Sequence, residues 1–186
     1  MTLKIGIVTG STRPGRANVQ VAEWVYGLAK KRDDAEYEIV DIADYNLPLL
    51  DESTPPSVGK YENEHTKRWA AKVASFDGYI FVTPEYNHST SAAMKNALDF
   101  VYAEWNNKAA GFVSYGSALG VRAVEHLRGV MAELQIADVR QQVMLSLFTD
   151  FENFSVFKPD VRHEKSLETL FEQVAAWAGA LKGLRA

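Results

Sequence analysis

Leu3-Lys4-Ile5-Gly6-Ile7-Val8-Thr9-Gly10-Ser11-Thr12-Arg13-Pro14-Gly15-Arg16-Ala17-Asn18-Val19 begins as an apolar run and breaks into glycine, hydroxyl and basic residues. A helical pattern starts near residues 17–19, so the stretch reads as buried strand, loop and helix in succession. Acidic residues normally gather in the first turn of a helix, whose free N–H groups carry partial positive charge. Here the first acidic residue of the chain is Glu23, and Arg13 and Arg16 precede the helix. Backbone N–H groups, two hydroxyls and one or two guanidinium forks at a helix N-terminus suit a phosphate. A phosphate-bearing ligand is the first expectation; an ordinary tight glycine turn is the alternative for this loop taken alone.

The same alternation continues along the chain. Residues 3–8, 36–41, 78–83 and 109–115 read as strands, with 139–147 as a fifth. Residues 19–31, 65–75, 91–102 and 121–134 read as helices, and 164–184 as a closing one. Strands separated by helices predict an α/β protein with a parallel sheet covered on both faces. Five strands suggest the flavodoxin-like order 2-1-3-4-5, and the length of 186 residues suggests one domain spanning 1–186. Residues 51–59, with Pro55-Pro56, read as a surface loop.

Composition narrows the chemistry. The net charge of −4 provides no global attraction for nucleic acid. The absence of cysteine removes disulfides, thiolate metal sites and a thiol nucleophile. No apolar stretch of about eighteen residues and no charged-then-apolar leader is present, so neither a membrane span nor a secretory signal is expected, and cytoplasm is the default location. His65, His88, His126 and His163 lack metal-ligand spacing, and no metal is expected. Asp99, Ser114 and His126 form no hydrolase triad on sequence, since Phe112-Val113 precede Ser114 where a nucleophile elbow needs glycine. Lys95 and Asp99 stand one helical turn apart and read as a side-chain pair. Phe148, Phe151, Phe154 and Phe157 are expected to pack a loop onto the sheet.

Ligands of open parallel sheets bind beyond the carboxyl ends of the strands. Three loops there carry unusual residues: Gly10 to Asn18, then Pro84-Glu85-Tyr86-Asn87-His88-Ser89, then Ser114-Tyr115-Gly116-Ser117-Ala118-Leu119-Gly120. Alone, the second reads as a turn that caps the next helix, and Gly116 with Gly120 as aids to close packing. Together they would fit the phosphate, ring edge and ring face of a planar nucleotide-like ligand.

These residues, with Lys95-Asn96-Ala97-Leu98-Asp99 downstream, resemble the NADPH-dependent FMN reductase family from about Leu3 to Leu134. The resemblance implies a flavodoxin-like fold that binds FMN non-covalently. It places Ser11, Arg13, Arg16, Asn18 and Val19 around the phosphate. Pro84, Glu85, Tyr86 and Asn87 would border the isoalloxazine, and Ser114 and Gly116 would flank the ring or ribityl side. It implies an oxidoreductase that takes a hydride from NADPH or NADH and passes electrons to a second small-molecule acceptor such as a free flavin or quinone. A homodimer or homotetramer is also implied. Ser117 and Ala118 stand where the family often has a second glycine. No single catalytic residue is expected, because the flavin itself carries the hydride chemistry. No Gly-x-Gly-x-x-Gly motif indicates a separate dinucleotide site, and Arg16 or Arg122 is the residue to meet a 2′-phosphate. Two other readings share the fold: a flavin-binding electron carrier or sensor, and a nucleoside-processing enzyme with Glu85 as nucleophile.

Overall fold

β1 (Leu3–Thr9), β2 (Ala35–Asp41), β3 (Gly78–Pro84), β4 (Lys108–Gly116) and β5 (Ile136–Ser146) pair in parallel in the order β2-β1-β3-β4-β5. This is the predicted order. The computed structural model describes residues 2–185. α1 (Asn18–Ala29) and α5 (Arg162–Leu181) cover one face of the sheet, and α2 (Glu64–Ala74), α3 (Ala92–Asp99) and α4 (Val121–Glu133) the other. The two-residue period of the strands sorts their side chains between these layers. Ile80 and Val82 of β3 join Val21, Val25, Leu170 and Phe171, whereas Tyr79 and Phe81 join Trp69, Trp105 and Phe112. Every residue of β3 is buried, which fits its apolar run from Tyr79 to Val82.

Two departures from the sequence reading free backbone groups that side chains then satisfy. β5 begins three residues earlier than expected and carries a bulge, seen as a register shift where Ala110 opposes Asp138 but Phe112 opposes Gln142. The backbone groups freed there find side chains of distant elements: Arg128 donates to Val139 O at 3.0 Å, and Gln141 N–H to Gln173 Oε1 at 3.0 Å. α3 ends at Asp99 instead of continuing to 102, and a 3-10 turn follows at Ala103–Trp105. The carbonyls released at that end accept from the Trp105 indole (Leu98 O, 3.2 Å) and from Asn106 (Tyr102 O, 3.1 Å). At the end of α2, buried Lys108 donates to Val73 O at 2.8 Å from the adjoining strand. Burial, then the nearby positive charge of Arg185, pulls the Lys108 ammonium down to about 7.

Beyond β5 the chain forms a small antiparallel hairpin, β6 (Phe151–Glu152) with β7 (Val156–Phe157), which the sequence pattern does not reveal. The aromatic residues divide. Phe151 and Phe157 pack ring to ring at 5.0 Å, and Phe151 meets Tyr115 at 5.7 Å, as expected of a loop packed on the sheet. Phe148 and Phe154 instead face outward, 5.8 Å apart.

Asp150 holds this segment from its buried centre. Its carboxylate accepts from Ser146 N–H at 2.8 Å, Asp160 N–H at 3.2 Å and His163 Nε2 at 2.9 Å. Burial alone would raise its pKa; the Ser146 and Asp160 amides and His163 outweigh that and hold it below the usual carboxylate range. A carboxylate whose folded pKa lies below its unfolded value of about 3.9 stabilises the fold above that pH, and the benefit is lost as acid protonates it. Asp150→Asn is therefore expected to cost about 2 kcal/mol at neutral pH and to flatten the acid limb of the stability profile. Urea melts at pH 7 and pH 3 check this; parallel profiles for the two proteins would contradict it.

Candidate functional site

The first loop leaves β1 in the crevice between β1 and β3, where the strand order reverses. Gly10 N–H bonds Val82 O at 2.8 Å, and a Cβ at this position would lie 2.6 Å from that same oxygen and 2.7 Å from Met94 Cε. No other residue fits so near a neighbouring strand. Asn18 is fully buried; its side chain accepts from Gly10 N–H at 2.9 Å and donates to Val82 O at 3.0 Å. Ser91, the N-cap of α3, donates to Gly10 O. The loop is thus pinned from β3, α1 and α3 at once.

What remains free in it is cationic. α1 starts at Asn18 with no side-chain cap and no acidic residue in its first turn, so its leading N–H groups are left for another partner. Arg13 is exposed and makes no ion pair among the described residues. Arg16 pairs through Nη2 with Asp41 at the end of β2, while its Nε is buried with no hydrogen-bond partner. A buried, unanswered guanidinium N–H beside an uncapped helix start is the donor set a phosphate group satisfies. Val19 lies in the same first turn, half-buried. Asp41 also accepts from Thr9 Oγ1 at 2.8 Å and so orients Arg16; nothing in the local sequence distinguishes it from any other acid closing a strand.

The second loop is bound to the first through a hydroxyl pair, Ser11 Oγ with Tyr86 Oη at 2.9 Å. Tyr86 and Ser89 exchange backbone bonds at 2.9 and 3.1 Å around Asn87 (φ 49°) and His88 (φ 72°). Two consecutive left-handed residues make this a tight reversing turn, strained for non-glycine side chains. Asn87 is exposed at its tip, and Pro84 is buried where β3 ends.

The third loop sits against the second. Glu85 N–H bonds Tyr115 O at 3.1 Å, and a Cβ on Gly116 would come within 3.2 Å of Glu85 Cβ. Gly116 therefore permits two loops to touch. Burial pushes the Tyr115 phenol well up, so it stays neutral beside the arginines.

Two residues expected to border a ligand turn their side chains elsewhere. Ser114 is fully buried; its hydroxyl donates to Leu119 O at 2.8 Å and accepts from Gln142 at 2.9 Å. Glu85's side chain is only 4% exposed and is gripped by Arg122. The nucleoside-processing reading thereby loses its nucleophile, and Arg122 is spoken for where a 2′-phosphate contact was expected. Asn18 likewise spends its side chain on the scaffold. The structure brings Ser11, Arg13, Arg16, Val19 and Tyr86 to one edge, with Asn87 and Gly116 flanking. Lys95 and Asp99 form the expected pair, 2.7 Å apart, and His126 bonds Ser89 Oγ at 2.8 Å, with no triad to Ser114.

The sequence profile of NADPH-dependent FMN reductases matches residues 3–150. An NAD(P)H-dependent FMN reductase, ntnL, of Nectria sp is 38% identical over 96% of this chain and 89% of its own length. A 2-hydroxy-1,4-benzoquinone reductase of Burkholderia sp is 32% identical over 95% of this chain and 97% of its own. In fold, the chain superposes on the flavoenzyme NAD(P)H:(acceptor) oxidoreductase FerB from Paracoccus denitrificans with a TM-score of 0.74, covering 96% of this chain and 98% of that one at 18% identity.

Proposed function

The chain belongs to the NADPH-dependent FMN reductase family, and from that premise we propose that it is an FMN-dependent NAD(P)H oxidoreductase serving a small-molecule acceptor such as a quinone or free flavin. The observation that carries the reading is the loop after β1: an uncapped, acid-free helix start with Arg13 exposed and the buried Arg16 Nε unanswered. That donor set fits the phosphate of FMN. When bound, FMN would supply the hydride chemistry, accepting two electrons from NADPH or NADH and returning them to the acceptor.

The residues of this chain bind and orient. Ser11, Arg13, Arg16 and the leading amides of α1, including those of Asn18 and Val19, would hold the phosphate. Pro84, Tyr86, Asn87 and Gly116 would form the ring-side border, and Glu85 would act there through its backbone. Tyr86, joined to Ser11 at 2.9 Å, couples the phosphate end to that border. Fixed dipoles of the 84–87 and 116 backbone would favour negative charge on a ring held there without any titrating group, so no acid–base residue is assigned. The same reading takes the chain as one domain, cytoplasmic, and a homodimer or homotetramer. Among the described residues no helix is long and apolar enough to cross a membrane.

The test is an anaerobic titration of FMN-loaded protein with NADPH and NADH, followed by quinone. Bleaching by either nucleotide and recovery with quinone are expected; protein that neither binds FMN nor gains thermal stability from it would overturn the reading. FMN bound without nucleotide oxidation would move the assignment to an electron carrier. Arg13→Ala is expected to weaken FMN binding about ten- to a hundredfold through loss of a charge-assisted contact. Fluorescence quenching titration measures this, and unchanged affinity would show that the loop serves another ligand.

A further inference from the structure

The contact between the second loop and α4 has a function the family relationship does not specify. α4 begins at Val121 after Gly120, with no side-chain cap and no acid in its first turn. Its missing cap comes from Glu85, on another loop: the carboxylate accepts from Arg122 backbone N–H at 3.2 Å and from Arg122 Nε at 2.6 Å, and also pairs with Nη2. The acid is thereby placed at a helix N-terminus, where the helix field favours it. The same guanidinium reaches further, setting Nη1 3.0 Å from His88 Nδ1. Arginine has no acceptor, so in this contact the imidazole nitrogen is the acceptor.

One side chain therefore grips the 84–89 loop at two points, before and within its strained turn. Asn87 and His88 hold left-handed backbone angles that other residues rarely adopt without outside support. The Tyr86–Ser89 bridge supplies part of that support, and His126 on Ser89 Oγ adds another tie to α4. Arg122 provides the contact that reaches the strained residue itself. Charge in this cluster nearly balances, with Arg122 against Glu85 and the two imidazoles outside them, ring centroids 6.4 Å apart.

We propose that Arg122 is a positioning residue for the flavin site: by gripping Glu85 and His88 together it holds the 84–89 loop in the conformation that receives the ring. The proposal rests on the FMN reading above. A loop already in its bound shape owes no ordering cost on binding, so the grip appears in FMN affinity and in the ring's environment before it appears in fold stability.

The experiment uses the whole protein and two variants that leave no buried carboxylate unpaired. Arg122→Lys keeps the charge beside Glu85 but cannot fork to His88 as well. His88→Ala removes the second point of grip at an exposed position. Both are expected to melt near the wild-type temperature, to lose hydrogen-exchange protection at the amides of residues 86–89, and to bind FMN about tenfold more weakly with an altered visible circular dichroism. KM for the nucleotide is expected to rise more than kcat falls. Wild-type protection and affinity in both variants would overturn the positioning role while leaving the FMN reading intact. Wild-type protein that shows the protected turn but binds no FMN would overturn the FMN reading, and the flavin role of Arg122 with it.

Discussion

Gly120→Ala is expected to destabilise the protein by about 3–5 kcal/mol, a large effect for a single methyl group. Two penalties act together. Gly120 has φ 72°, a left-handed angle that alanine adopts only at a cost. A Cβ there would also lie 2.7 Å from Ser114 Cβ and 2.8 Å from Tyr115 N, and the second of these is backbone that cannot swing aside. Relief would have to come from moving the end of β4 away from the start of α4. That shift would also disturb Gly116, which has no room of its own against Glu85. Loss of FMN binding is therefore expected alongside loss of stability. Urea unfolding gives the first and flavin titration the second; a variant within about 1 kcal/mol of wild type would show that the loop has slack this packing denies.

Asn18→Ala is expected to cost about 3 kcal/mol, since a fully buried side chain loses two hydrogen bonds. The functional loss should exceed what stability explains, because those bonds fix Gly10 and with it the first loop over the start of α1. Asn18→Asp separates the two contributions. It keeps an acceptor for Gly10 N–H, loses the donor to Val82 O, and sets a negative charge beside the proposed phosphate site. FMN affinity is expected to fall further in Asn18→Asp than in Asn18→Ala, with denaturation midpoints and quenching titrations as the measurements. The reverse order would mean that the loop's geometry, and not its charge, governs binding.

Both predictions turn on residues whose types are legible in the sequence and whose work is not. Asn18 reads as a phosphate contact because it stands at a helix start behind two arginines. Its side chain is instead drawn to Val82, 64 positions away, because the crevice between β1 and β3 brings that carbonyl, already bonded to Gly10 N–H, within reach of a second donor. Ser114 reads as a ring contact and is a buried tie to Leu119, since β4 continues past it to Gly116. Glu85 reads as a ring-border residue or a nucleophile. It becomes the cap of a helix that begins 36 residues later because α4 brings no acid of its own. For Asn18 and Glu85 the competing partner comes from an element far along the chain, and for Ser114 Gln142 of β5 joins the nearby Leu119 carbonyl; local pattern carries no information about these distant partners.

The strand and helix layout, the 2-1-3-4-5 order and the cationic character of the first loop follow from the sequence alone. The layout and the loop's charge rest on short-range physics, namely apolar periodicity, glycine at chain reversals and the absence of acid before Glu23, and the order rests on the usual winding of five alternating strands. The tertiary structure alone decided which polar groups remain free once the sheet closes. Arg16 Nε is left without a partner while Arg122, Glu85 and Asn18 are consumed by the scaffold. A buried polar group must be satisfied by whatever lies within about 3 Å, and that neighbour is set by packing between distant segments.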